Sequence, residues 1–81
     1  MQTYTFHQDP AHGWLEVPLT EVSRLNIKPS RYSYRNNENA YLEEDCDLAL
    51  FIAAKKALGE AYTFSEKHTN GDSFVRRLPS F

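Results

Sequence analysis

The chain contains one cysteine, Cys46, so no disulfide can form within it. At 81 residues it must also hold itself together with a single modest hydrophobic core. Whatever it folds into has to fill a thin core efficiently. Aromatic side chains, 14% of the residues, suit that task because each ring buries a large apolar area. The length allows one domain over residues 1–81 and leaves no room for separate cofactor and catalytic domains. A lone cysteine also reads as a cytosolic chain.

Several aromatic residues fall in alternating runs. Thr3-Tyr4-Thr5-Phe6-His7 predicts a half-buried strand with Tyr4 and Phe6 inward. Asp9-Pro10-Ala11-His12-Gly13 is turn chemistry, and Trp14-Leu15-Glu16-Val17 predicts a second strand closing a hairpin. Pro18 to Leu25 predicts a short helix with Leu19, Val22 and Leu25 as its apolar stripe. Tyr32–Arg35 and Glu38–Leu42 flank Asn36-Asn37, whose tolerance of positive φ suits a tight hairpin. A second helix is expected from about Asp45 to Leu58, stopped by Gly59. Tyr62–His68 alternates again as a fifth strand. Residues 74–81 form either a short edge strand or an extended tail, with Pro79 arguing against a central strand. The predicted class is α+β: an antiparallel sheet of four to five strands with two helices on one face, in ββαββαβ order.

The segment Tyr41–Phe51 places Glu43, Glu44, Asp45 and Asp47 directly before an apolar run. Acids at a helix start complement free amides and the helix dipole, each by roughly 0.3–1 kcal/mol when exposed. Capping by Glu44 or Asp45 is therefore expected. One or two acids suffice for that, yet five lie between Glu38 and Asp47 with no Lys or Arg among them. The surplus is a candidate surface for a basic partner. On the helix, Cys46, Leu50, Ala53, Ala54 and Ala57 share an arc flanked by Phe51 and Leu58, the expected core face. Leu48 and Ile52 fall on the far side. Either the first helix covers them, or they form an apolar partner patch beside the acids.

Motifs for catalysis or metal binding are weak. The acid run lacks the glycine turn of a calcium loop. His7, His12, His68 and Cys46 show no zinc-ligand spacing. Cys46 sits among acids, a poor setting for a cysteine nucleophile. The glycines at 13, 59 and 71 are isolated, so there is no phosphate loop, and no nucleophile elbow is present. No metal, cofactor or enzymatic activity is expected. The net charge of −2 argues against a bulk polycation for nucleic acid. Arg24, Lys28, Arg31 and Arg35 nevertheless follow Glu21 with no acid before Glu38. On a strand, Arg31 and Arg35 would share one face and Tyr32 and Tyr34 the other. That face is solvated if the tyrosines pack, and becomes a base-stacking surface if they are exposed. Arg76-Arg77 is a second, smaller basic site. The N-terminus shows no basic-then-apolar pattern, and no apolar run reaches about 18 residues, so neither a signal peptide nor a membrane span is expected.

The segments YTFHQDPAHGWLEVP, YLEEDCDLALF and SFVRRLPSF resemble a group of small proteins carried by proteobacterial phages, prophages and plasmids. The resemblance runs along nearly the whole chain. It covers the aromatic strand with its Asp-Pro turn and His-Gly-Trp, the Tyr-Leu-Glu-Glu-Asp-Cys-Asp-Leu segment and a Lys-His-Thr strand end. In size and in its lack of catalytic motifs the chain is similar to anti-CRISPR proteins against type I systems, type I-C among them. The resemblance implies a non-enzymatic inhibitor in the bacterial host cytoplasm, a monomer or weak dimer. It would bind a Cas subunit of the CRISPR effector complex and block target DNA. It carries over no site residues. A DNA channel is lined by Lys and Arg, which Glu43, Glu44, Asp45 and Asp47 could meet, with Leu48 and Ile52 adding apolar contact if exposed. The alternative is a nucleic-acid-binding accessory protein using Arg24, Lys28, Arg31 and Arg35.

Overall fold

The computed structural model describes every residue from Met1 to Phe81. Along the chain run β1 (Gln2–Gln8), β2 (Gly13–Pro18), α1 (Leu19–Arg24), β3 (Tyr34–Arg35), β4 (Asn39–Glu43), α2 (Asp47–Leu58), β5 (Tyr62–His68) and a 3-10 helix (Phe74–Arg77). The strands make one sheet in the order β3-β4-β2-β1-β5. The α+β class and the order of elements are those the sequence predicts. The sheet is mixed, however: β5 lies parallel to β1, while the other three pairings are antiparallel. The cause is α2. Its twelve residues span about 18 Å. They carry the chain back along the strand direction and across three strand spacings of about 4.8 Å each. The next strand then runs the same way as β4, and therefore parallel to β1.

Register separates two cores. Phe6 pairs with Leu15, Leu15 with Leu42 and Val17 with Ala40, and these face the helices. Tyr4, Leu15, Val17, Ala40 and Leu42 meet Val22 and Leu25 of the α1 segment, Ile27 of the following loop and Phe51 of α2. Phe51 meets Tyr4 edge-on at 4.9 Å between ring centroids. The opposite face holds Trp14 and Tyr41, covered by Val75 of the 3-10 helix. Beyond that helix, Pro79–Phe81 lie beside β3: the Arg35 N–H donates to the Pro79 carbonyl (2.9 Å) and the Phe81 N–H to the Ser33 carbonyl (3.0 Å).

The face that α2 buries is not the expected one. Cys46, Leu50, Ala53 and Ala57 are exposed. The buried stripe is Asp47, Phe51 and Lys55, spaced by four, with Leu48 and Ala54 packed beside it. An arc drawn on apolar residues misses this stripe, because Asp47 and Lys55 count as solvent-facing in any hydropathy pattern. Both are matched by polar partners inside the protein. Leu48 and Ile52 also part company: Leu48 is half-buried against the core, while Ile52 is 39% exposed. Gly59 ends α2 at φ 67°, a left-handed conformation that glycine adopts at no steric cost.

Asp9 clasps the tail to the first hairpin. Its Oδ1 accepts from the Ala11 and His12 amides (3.1 and 3.0 Å) and from Arg76 Nη2 (3.0 Å). Its Oδ2 accepts from the Ser73 amide (3.0 Å) and Arg76 Nε (2.6 Å). The Arg76 guanidinium, aided by those backbone donors, holds the Asp9 carboxyl well below the usual carboxylate range. Hydrogen bonds from Arg24 and then Lys55 likewise pull Glu60 from 4.5 down to about 2. A depressed carboxylate contributes stability above its unfolded pKa and loses it as pH falls toward its folded one. Tm followed by circular dichroism is therefore expected to decline from about pH 5 downward. Asp9→Asn is expected to lower Tm at neutral pH and flatten that acid limb. An acid limb unchanged in Asp9→Asn would remove Asp9 from this account.

Candidate functional site

Where β2 begins and β4 ends, the surface opens into a cleft of about 210 Å3. Its floor is Trp14, only 2% exposed, with the Tyr34 ring 6.1 Å away and the Arg76 guanidinium 5.4 Å above it. Its walls carry His12, Arg31, Tyr32, Glu43 and Asp45. Asp9 sets the backbone at His12 through the turn hydrogen bonds described above. Gly13 lets that turn close over the sheet, since a Cβ there would stand 2.4 Å from Phe6 Cζ.

The opposite wall depends on Asp47. This carboxylate is 3% exposed and accepts from the Ser30 amide (2.8 Å) and Ser30 Oγ (2.9 Å), and also from Ser33 Oγ. Ser33 Oγ in turn accepts from the Glu43 amide at 3.0 Å. Ser33 is thus drawn fully inside, and its neighbours Arg31 and Tyr32 stay at the surface. The guanidinium of Arg31 lies 5.5 Å over the Tyr32 ring, which is 54% exposed. The arginine–tyrosine alternation expected for a strand does not form, because β3 is limited to Tyr34–Arg35.

The four acids that the sequence groups together have separate fates. Glu44 and Asp45 are exposed, Glu43 is 9% exposed, and Asp47 is consumed by Ser30 and Ser33. They do not make one surface. Neither Glu44 nor Asp45 caps α2, whose N-cap position is Cys46 with no side-chain hydrogen bond. The turn into the helix is held instead by Glu43, whose carboxylate accepts from the Asp45 amide (3.1 and 2.9 Å).

The β2–β4 register sets Trp14 opposite Glu43. This brings the hairpin turn alongside the acid run. Donor atoms of His12, Glu43 and Asp45 consequently lie within 4.8 Å of one another. Sequence reasoning missed this group by testing histidines against Cys46, and acids against acids. The other histidines lie elsewhere. His7 is buried with Nε2 2.9 Å from Glu16 Oε1, and His68 is exposed at the end of β5.

The basic residues are dispersed. Arg24 donates to both oxygens of Glu60 (2.9 and 2.8 Å). Lys28 lines a groove with Leu25, Asn26, Ile27, Leu50 and Ala54. Arg31 lines the cleft, and Arg35 lies over the Phe81 ring at 5.7 Å. No helix is long and apolar enough to cross a membrane. A scan against protein-family models and searches of curated proteins and of solved structures found no significant match.

Proposed function

We propose that this protein is a non-enzymatic inhibitor that binds a Cas subunit of a type I CRISPR effector and blocks target DNA. The epitope narrows to Glu44 and Asp45. What supports this reading is their adjacency at the exposed surface, next to a cleft that presents Tyr32 and Arg31. Surface ion pairs alone contribute little. Tyrosine and arginine supply the desolvated anchors that interface energy concentrates in, and the acids supply complementarity to a Lys- and Arg-lined channel. The sequence resemblance supplies the target class. Glu43 and Asp47 drop out because their carboxylates hold the fold, and Leu48 because it packs on the core. Ile52 remains available at the surface.

The test is the double reversal Glu44→Lys/Asp45→Lys, assayed for capture of the effector complex and for relief of its DNA-binding block. At least a tenfold loss of inhibition is expected. The thermal melt should stay within about 0.5 kcal/mol of wild type, as for other surface changes. Undiminished inhibition by the double reversal would sink the acidic epitope. A wild-type protein that ignores effectors but shifts DNA in a salt-sensitive manner would favour the nucleic-acid reading instead.

A further inference from the structure

We propose that His12, Glu43 and Asp45 form a binding site for a divalent transition ion of zinc's type. The site goes beyond the docking reading, and its test needs no partner, so either can fail alone.

Three observations carry it. The donors come from two separate segments, the β1–β2 turn and the end of β4, yet their ligand atoms converge within 4.8 Å. Around a tetrahedral ion with bonds of about 2.1 Å, donors stand about 3.4 Å apart. His12 and Asp45 are exposed, so side-chain rotation alone can close that gap. Glu43 is the fixed member. It is 9% exposed, and the Asp45 amide is the single donor to its carboxylate. It takes part in none of the chain's ion pairs. A carboxylate offers about four lone-pair sites; the Asp45 amide uses one on each oxygen, and the others remain available where Glu43 lines the cleft. A cation is a partner that this arrangement can accept.

The local charge agrees. Arg76 is matched by Asp9, which leaves Arg31 against Glu43 and Asp45 in the cleft. The balance there is negative. One imidazole with two carboxylates selects against Mg2+ and Ca2+, which favour oxygen alone, and toward ions that accept nitrogen and oxygen together. Three protein ligands leave the remaining coordination positions to solvent or to a group from outside, as in open zinc sites.

The experiment is calorimetric titration of the intact protein with Zn2+ in a non-chelating buffer. One ion per chain is expected. His12→Ala and Asp45→Asn should each weaken binding by at least the roughly 10–100-fold that loss of an outer-shell partner costs a metal site. Both residues are at the surface, so circular dichroism should show both variants folded. His68→Ala and Cys46→Ser should bind Zn2+ as wild type does. Absence of binding would overturn the proposal. So would binding that survives His12→Ala, or binding that disappears in His68→Ala or Cys46→Ser.

Discussion

Lys55→Ala is expected to lower unfolding stability by about 3–5 kcal/mol, the range for removing one partner of a buried ion pair. The Lys55 side chain is 2% exposed, with Nζ 2.9 Å from both Glu21 Oε1 and Glu60 Oε1. The ammonium also lies 5.2 Å from the Tyr4 ring centroid and 5.7 Å from that of Phe51. Burial pushes the Lys55 pKa down, but hydrogen bonds to Tyr4, Glu21 and Glu60 outweigh it and hold the group above its ordinary value. A raised lysine contributes fully below its unfolded pKa and is lost only as pH climbs past it, so the titration of Lys55 itself lies outside the acid limb, to which Lys55 contributes by holding Glu60 down. Truncation leaves Glu21, whose side chain is 11% exposed, with the Tyr4 hydroxyl as its hydrogen-bond donor and Arg24, at 3.8 Å, as its one remaining cation. It also opens a void beside Phe51. The double variant Lys55→Met/Glu21→Gln should recover most of the loss, since an apolar chain of similar length fills the space and no charge is stranded. Urea unfolding of all three proteins decides the matter. A Lys55→Ala cost under about 1 kcal/mol would place Nζ in solvent, on the scale of an exposed pair.

Asp47→Ala is expected to cost about 2–4 kcal/mol and, on the proposed docking reading, to weaken effector binding as well. Three donors lose their acceptor, and one of them, Ser33 Oγ, is fully buried. A buried donor left unpaired keeps its full desolvation penalty. The same contacts hold the loop that presents Arg31 and Tyr32, so the loss spreads to the cleft. Glu44→Ala is the internal comparison: an exposed acid from the same run that should leave the melt within about 0.5 kcal/mol. An Asp47→Ala protein that melts with wild type would show that Ser30 and Ser33 find water instead.

The strands were legible because alternation survives in short aromatic runs. Tyr4 is buried and Phe6 half-buried against the same core, as the pattern predicts, and Asp9 and Gly13 mark the turn. Helix α2 was legible in extent and not in orientation. Its inward stripe is bracketed by two charged residues whose partners, Ser30, Ser33, Glu21 and Glu60, come from other parts of the chain. Nothing local to residues 47–58 announces those partners. The acid run misled for the same reason: equal chemistry along four residues concealed unequal burial. The convergence of His12 with Glu43 and Asp45 was illegible because it depends on the β2–β4 register, a property of strand pairing rather than of either segment.

The parallel β1–β5 ladder has a kinetic corollary. Every partner in it is sixty positions away in sequence, from Gln2 with Tyr62 to Gln8 with His68. A ribosome adding about 5–20 residues per second needs roughly 3–12 s to cover that interval. During that time β2 is the only one of its two sheet neighbours with which β1 can pair. The last ladder cannot zip until α2 has been made and laid across the sheet, which puts loop closure ahead of any reward from contacts. Acquisition of the native fold is therefore gated by the C-terminal third of the chain.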